Sequence, residues 1–222
     1  MPSFEQVVRQ RRSVRAFDPT RPVSKAELLE VLGLAGRAPS NCNAQPWRTF
    51  VVGGERCEQL RRRLWQTASG GTPVEVNATP AFEGVHRQRQ VACAVALYET
   101  IGVQRDDREG RRDASLRNFE FFDAPQIAVL CMDRAFGLGV ALDVGAYLQT
   151  FLLALTARGI ASCAQASIRC YETLVRQELS IPPELQILCG VAFGYEIPDA
   201  PVNRVRQDRA PIEEAVTFLG FE

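Results

Sequence analysis

Residues 138–157 read LGVALDVGAYLQTFLLALTA, a nearly apolar run. A run of roughly 20 such residues belongs either in a bilayer or in a protein core, because leaving it in water forfeits the whole gain of apolar burial. Asp143 and Gln149 interrupt it, and no aromatic belt or basic flank frames it. Gly159 follows where a helix C-terminus favours a left-handed residue. The segment predicts a buried central helix over 138–158, not a membrane span, and the remaining chain has to cover it.

The flanking sequence supplies that cover. Ser3 with Gln6 and Ser24 with Glu27 fit the capping box, predicting helices over about 4–11 and 25–36. Strand patterns fall at 49–52, 126–132 and 185–195, with Ile160–Ser162 opening a further strand or turn. Helical patterns fall at 55–67, 86–101, 108–120 and 169–179, and a long loop at 68–82. Few strands alternating with many helices predict a mixed α+β fold rather than a doubly wound parallel sheet. The 222 residues are read as one domain, with 68–120 a peripheral helical excursion or lid and 198–222 a C-terminal arm.

Much chemistry is excluded. Lys plus Arg and Asp plus Glu both number 26, so no global field draws the chain to nucleic acid or an anionic membrane. His86 is the only histidine and reads as a surface or helix-end residue, which disfavours a Ser-His-Asp triad, a Cys-His pair or a metal site. Neither a P-loop nor a complete G-x-G-x-x-G is present. The seven cysteines are odd in number and scattered, without C-x-x-C, as expected for reduced, core-filling thiols in a cytoplasmic protein. MPSFEQVVRQRR lacks the apolar stretch of a signal peptide.

Two features remain. In RQRRSVRAF, residues 9–17, four arginines surround one serine, and Arg204, Arg206 and Arg209 recur between Pro201 and Pro211. Either cluster alone is ordinary solvated surface; together, in a net-neutral chain, they predict a shared anion held by guanidinium forks. Alternation would place Ser13, Arg15 and Phe17 on one face of an extended segment. The loop APSNCNAQPW, residues 38–47, offers uncharged donors and acceptors suited to the rim of a flat heterocycle, or else to capping its own turn. Cys42 within it is read as packing.

RRSVRAF, then APSNCNAQPW, then GIASCAQAS after the apolar helix, then an arginine-bearing tail, together resemble the FMN-dependent nitroreductase family across nearly the whole chain. YEIPDAPVNR and the closing RAP resemble its nitrobenzoate-reductase-like subgroup. The resemblance implies an α+β three-layer sandwich with a central mixed β-sheet flanked by helices. It also implies an intertwined homodimer with flavin sites at the interface, the long helix serving core and dimer alike. Arg11 and Ser13 then hold the FMN phosphate with Arg12 close by, and Arg206 and Arg209 complete the site. Arg15 approaches the pyrimidine edge, a possible electrostatic role. Pro39, Ser40, Asn41 and Asn43 line the flavin from the other subunit, and Asn118 reaches its edge. Backbone N–H groups of Gln165, Ala166 and Ser167 face the reactive edge. Ala164, Ala166 and Ser167 depart from the family pattern, which leaves acceptor preference open.

The implied activity is ping-pong hydride transfer, with NADH or NADPH as donor and a nitroaromatic or similar flat, electron-poor acceptor. The alternatives are reductive dehalogenation or flavin handling on the same fold, or a non-catalytic FMN-binding protein.

Overall fold

The computed structural model describes residues 2–76 and 81–221; residues 77–80, inside the loop expected over 68–82, lie outside the described residues. In chain order the helices are α1 (Phe4–Gln10), α2 (Lys25–Ala35), α3 (Gly54–Ser69), α4 (Gly84–Thr100), α5 (Arg108–Leu116), α6 (Leu138–Ala157) and α7 (Glu172–Leu179). The strands are β1 (Arg48–Gly53), β2 (Gln126–Asp133), β3 (Ala161–Gln165) and β4 (Leu185–Gly194). Both capping boxes form, at Ser3 with Gln6 and at Ser24 with Glu27.

QIAVLCM is apolar at almost every position because β2 is covered on both faces. Ile127, Val129 and Cys131 pack with Cys57, Leu60 and Leu64 of α3 and Val175 of α7. Ala128, Leu130 and Met132 point the other way, to Leu28 and Val31 of α2 and Tyr147, Phe151 and Leu155 of α6. One strand thus serves two cores, and the molecule has three layers. Leu130 is fully buried between β2 and the α2/α6 layer, and Leu130→Ala would cost about 2–5 kcal/mol.

The strands lie in the order β1-β2-β4-β3, every pair antiparallel. The central sheet is therefore not mixed as the resemblance implies. Among the described residues the parallel pairing is an isolated bridge between Ser13 and Ser162, which lays the N-terminal segment along edge strand β3. Each connection between strand neighbours returns the chain in the opposite sense.

Other expectations are corrected locally. Segment 13–17 is no continuous strand, because its bridges, Ser13 to Ser162 and Phe17 to Glu196, join different partners. With no ladder to hold a pleat, Val14 and Phe17 turn into the core, and Phe17 leaves the side it was expected to share with Ser13 and Arg15. The helix expected over 108–120 ends at Leu116. The chain then passes three left-handed residues, Phe121, Phe122 and Asp123, held by the burial of both rings and the Arg117–Asp123 ion pair. The helix expected from 169 starts at Glu172, after a 3-10 turn over Ala166–Tyr171. That turn lies hard on the sheet: a Cβ at Gly190 would sit 2.6 Å from Ile168.

Among the described residues α6 is the one helix long and apolar enough to cross a membrane. Its inner face carries Tyr147, Phe151 and Leu155 into the core, and Gly159 closes it at φ +70°. Its N-terminal half is not buried as expected: Leu138 and Leu142 are 89% and 75% exposed.

Candidate functional site

A capping box starts α1, and the helix is only seven residues long. The chain leaves the helix at Arg11 with ψ 121°, and the bridge at Ser13 draws it along β3. Arg11, Arg12, Ser13 and Arg15 are thereby presented to one cleft of about 810 Å³. The opposite wall is the C-terminal segment with Arg206 and Arg209, and Cys93 and Leu97 of α4 close the side. Both arginine clusters, nearly two hundred residues apart in sequence, meet here.

Their charges are unevenly available. Arg12 pairs with Glu196, so its charge is already answered, although its Nε is buried without a partner. Among the described residues Arg11, Arg15, Arg206 and Arg209 pair with no carboxylate. The Nε of Arg11 is also buried without a partner. Asp208 shares the wall, leaving a net surplus of positive charge. Burial pushes the Cys163 thiol up, while Arg15 and Ser13, whose segment is bridged to β3 at Ser162, draw it partly back. A dianion with several acceptor oxygens is the chemistry such a cleft takes.

A second group lies further along β3. Ser162, at the bridge to Ser13, and Gln165, at the strand end, are about 10 Å apart by strand rise. Gln165 is 2% exposed; its Nε2 donates to the Asn118 carbonyl at 2.7 Å, and its Oε1 is buried without a partner. The Ser167 hydroxyl and the Arg169 Nε are likewise buried and unpartnered, and Ala166 is exposed. Buried polar groups are normally satisfied. Unmet atoms at Arg11 and Arg12 beside the cleft, at Gln165 on the end of β3 and at Ser167 in the 3-10 turn after it are what a polar ligand reaching from the arginine cleft past β3 would satisfy. The Asn118 amide itself bonds Ser115, so this residue meets the site through its carbonyl.

The loop at 38–47 stands apart, and Pro39, Ser40, Asn41 and Asn43 do not line the cleft. Asn41 donates its N–H to the Asp143 carboxylate at 3.0 Å, and Ser40 Oγ accepts from Gln45 N–H at 3.0 Å. Cys42, Asn43 and Gln45 are left-handed, with φ of 50°, 56° and 50°. Cys42 is exposed, so it does no packing within the chain. A strained, exposed loop held from behind is built to present its edge outward. Below it, Trp47 stacks on Tyr147 at 4.9 Å.

Three contributors escaped the sequence. Asn203 is 4% exposed and ties the tail to segment 13–17; an amide directly before the tail arginines was its only signal. Asp143 read as an interruption of α6 and turns out to hold the loop. Arg169 left no signal beyond its charge.

The family model described as the nitroreductase family matches residues 8–195. A 4-nitrobenzoate reductase of Nocardioides sp. (strain LMS-CY) is 35% identical, over 98% of this chain and 90% of that protein. Another 4-nitrobenzoate reductase, from Pseudomonas putida, is 32% identical, over 99% of this chain and 96% of that one. The crystal structure of the FMN-dependent nitroreductase NfnB from Mycobacterium smegmatis in complex with NADPH superposes with a TM-score of 0.91 at 35% identity, covering 97% of both chains. The three-layer fold, the paired arginine segments and these matches along the chain agree: the protein belongs to the nitroreductase family.

Proposed function

We propose that the protein is an FMN-dependent NAD(P)H oxidoreductase that reduces nitroaromatic acceptors, with nitrobenzoate-type acids as the first class to try. The observation that carries this reading is the cleft where Arg11, Arg15, Arg206 and Arg209 converge without carboxylate partners; the unmet polar atoms of Gln165, at the end of β3, and of Ser167, just after it, add support. These residues fit a phosphate at one end and a polar ring edge at the other. FMN, when bound, supplies the redox chemistry, passing a hydride equivalent from a reduced nicotinamide to the acceptor.

The chain's own groups bind and orient. Arg11, Ser13, Arg206 and Arg209 hold the phosphate. Arg12, turned to Glu196, supports the wall. Arg15 stabilises negative charge at the pyrimidine edge without moving a proton. Backbone N–H groups at 165–167 aim at the reactive edge, and the Asn118 carbonyl fixes the Gln165 amide beside it. The whole chain works as one domain, with 198–222 as the arm carrying two of the arginines and 68–120 closing the cleft through α4.

The unit of function in this reading is a homodimer. The outward loop at Pro39–Asn43 and the exposed Leu138 and Leu142 of α6 support it, since a second copy covers the leucines while the loop reaches the neighbouring flavin. The cytoplasm, which keeps thiols reduced, is the compartment that suits seven free cysteines.

The test is the visible spectrum of the purified protein under anaerobic conditions. A flavin band that bleaches with NADH or NADPH and returns on adding 4-nitrobenzoate is the expected result. Protein that neither carries FMN nor takes it up overturns the reading.

A further inference from the structure

Two arginine clusters from opposite ends of the chain share a cleft only if the C-terminal segment is held in register with residues 11–15. The tail's own cleft arginines do not do this. Arg206 and Arg209 are exposed and, among the described residues, make side-chain hydrogen bonds only to carbonyls of their own segment, Asn203 and Val205 for one, Gln207 and Asp208 for the other. Ahead of the tail, Ile197 N–H bonds the Ala16 carbonyl and Arg12 pairs with Glu196; from within the tail, the side-chain contacts to the first arginine segment belong to a residue with no charge. Asn203 Oδ1 accepts the Arg15 N–H at 2.9 Å, and its Nδ2 donates to the Ala16 carbonyl at 2.9 Å and the Ile197 carbonyl at 3.1 Å. Its own carbonyl accepts from Arg206 Nη1 at 2.8 Å. One side of the residue therefore grips the first arginine segment and the other fixes Arg206 of the second.

We infer that Asn203 is a positioning residue for the anion clamp: it sets the distance between the Arg11–Arg15 wall and the Arg206–Arg209 wall, and so tunes the cleft for a phosphate. It touches no ligand in this scheme and acts through Arg15 and Arg206. A side chain that is 4% exposed with these bonds made is stiff, and apolar packing in its place would leave the Arg15 N–H without its partner. The tail's ion pair, Glu214 with Arg89 of α4, spends none of the cleft arginines, and Asn203 likewise fastens the tail without using their charge.

The inference rests on the reading that the cleft takes the FMN phosphate, so the experiment separates the two. FMN and riboflavin, which lacks the phosphate, are titrated against the wild-type chain, Asn203→Ala, the double variant Arg206→Ala/Arg209→Ala, and the triple variant. The wild type is expected to prefer FMN. Asn203→Ala is expected to lose about tenfold of that preference, as for one charge-assisted contact, with riboflavin affinity retained. The loss should not add to that of the double variant, because the two changes remove the same wall. FMN affinity in Asn203→Ala should also depend less on salt.

A wild type that binds riboflavin as tightly as FMN sinks the phosphate reading, and the inference with it. A wild type that prefers FMN, with the preference intact in Asn203→Ala or with fully additive losses in the triple variant, sinks the inference alone. If Asn203→Ala does not fold, Asn203→Ser, which keeps a hydroxyl, takes its place in the cycle. Should neither fold, Asn203 is a structural residue and the inference is overturned.

Discussion

The arginine cleft and the loop at 38–47 are both conspicuous in the sequence, yet one chain finishes only the first. In the cleft, segments from both ends of the chain meet, their free charges converge, and Asn203 fixes their spacing. The loop is fastened at its back by Asp143 and turns Asn41, Cys42 and Asn43 outward, with nothing of its own chain in front. Charge explains part of the difference. An anion site is built from forks that reach over several ångströms, whereas a hydrogen-bonding rim for a ring needs an opposing surface. In the proposed homodimer the loop would mark where a second copy completes the site, and the cleft what each copy brings.

The largest effect that sharpens this contrast is expected from Arg11→Ala. Arg11 faces the cleft with a buried Nε and no protein partner. Its removal should weaken FMN binding on the order of 10- to 100-fold, the worth of a hydrogen bond to a charged group. Riboflavin affinity should hold. Isothermal titration with both flavins checks it, and unchanged FMN affinity would mean that the cleft is not the phosphate site.

Legibility in the sequence followed the same line. The α+β class, both capping boxes, β2 and the span of α6 could be read because they rest on local periodicity and on side chains that bond within a few residues. The two arginine clusters could be read as one site because charge without partners is visible in a string. Geometry that depends on distant partners could not. Nothing local shows that Phe17 turns into the core, that Phe121–Asp123 turn left-handed without a glycine, or that Asp143 serves a loop a hundred residues away. The mixed sheet was expected from resemblance alone, and the chain's own pairings replace it with an antiparallel one.

A smaller effect is expected from the fastening of the loop. Asp143→Ala removes the acceptor of the Asn41 N–H, an exposed contact, and so falls at the low end for a charged hydrogen bond, about 1 kcal/mol or roughly fivefold. Asp143→Asn keeps an acceptor there and should fall closer to the wild type. The loss should appear in FMN affinity at protein concentrations where the chain is dimeric and fade on dilution. A loss of the same size in dilute, monomeric protein would break the comparison, because the loop would then serve the flavin of its own chain.

The finest discrimination comes from two thiols, one in each region. Cys93 lines the arginine cleft and Cys42 sits on the loop, and both are exposed. Burial pushes Cys57 and Cys189 up to about 11 and Cys131 up to about 12, which keeps them protonated and slow to react at neutral pH. A maleimide added to the folded protein should therefore label Cys93 and Cys42 first, as peptide mapping by mass spectrometry would read. Saturating inorganic phosphate occupies the arginine cleft without any ring and should slow labelling of Cys93 by a few-fold while leaving Cys42 unchanged. FMN should slow both in the dimer, because only the ring reaches the loop of the second copy. Equal protection of the two thiols by phosphate alone would merge the regions into one site. Protection of Cys42 by FMN in a monomer would place loop and cleft around the same flavin in a single chain. Either result removes the distinction on which the proposed dimeric site depends.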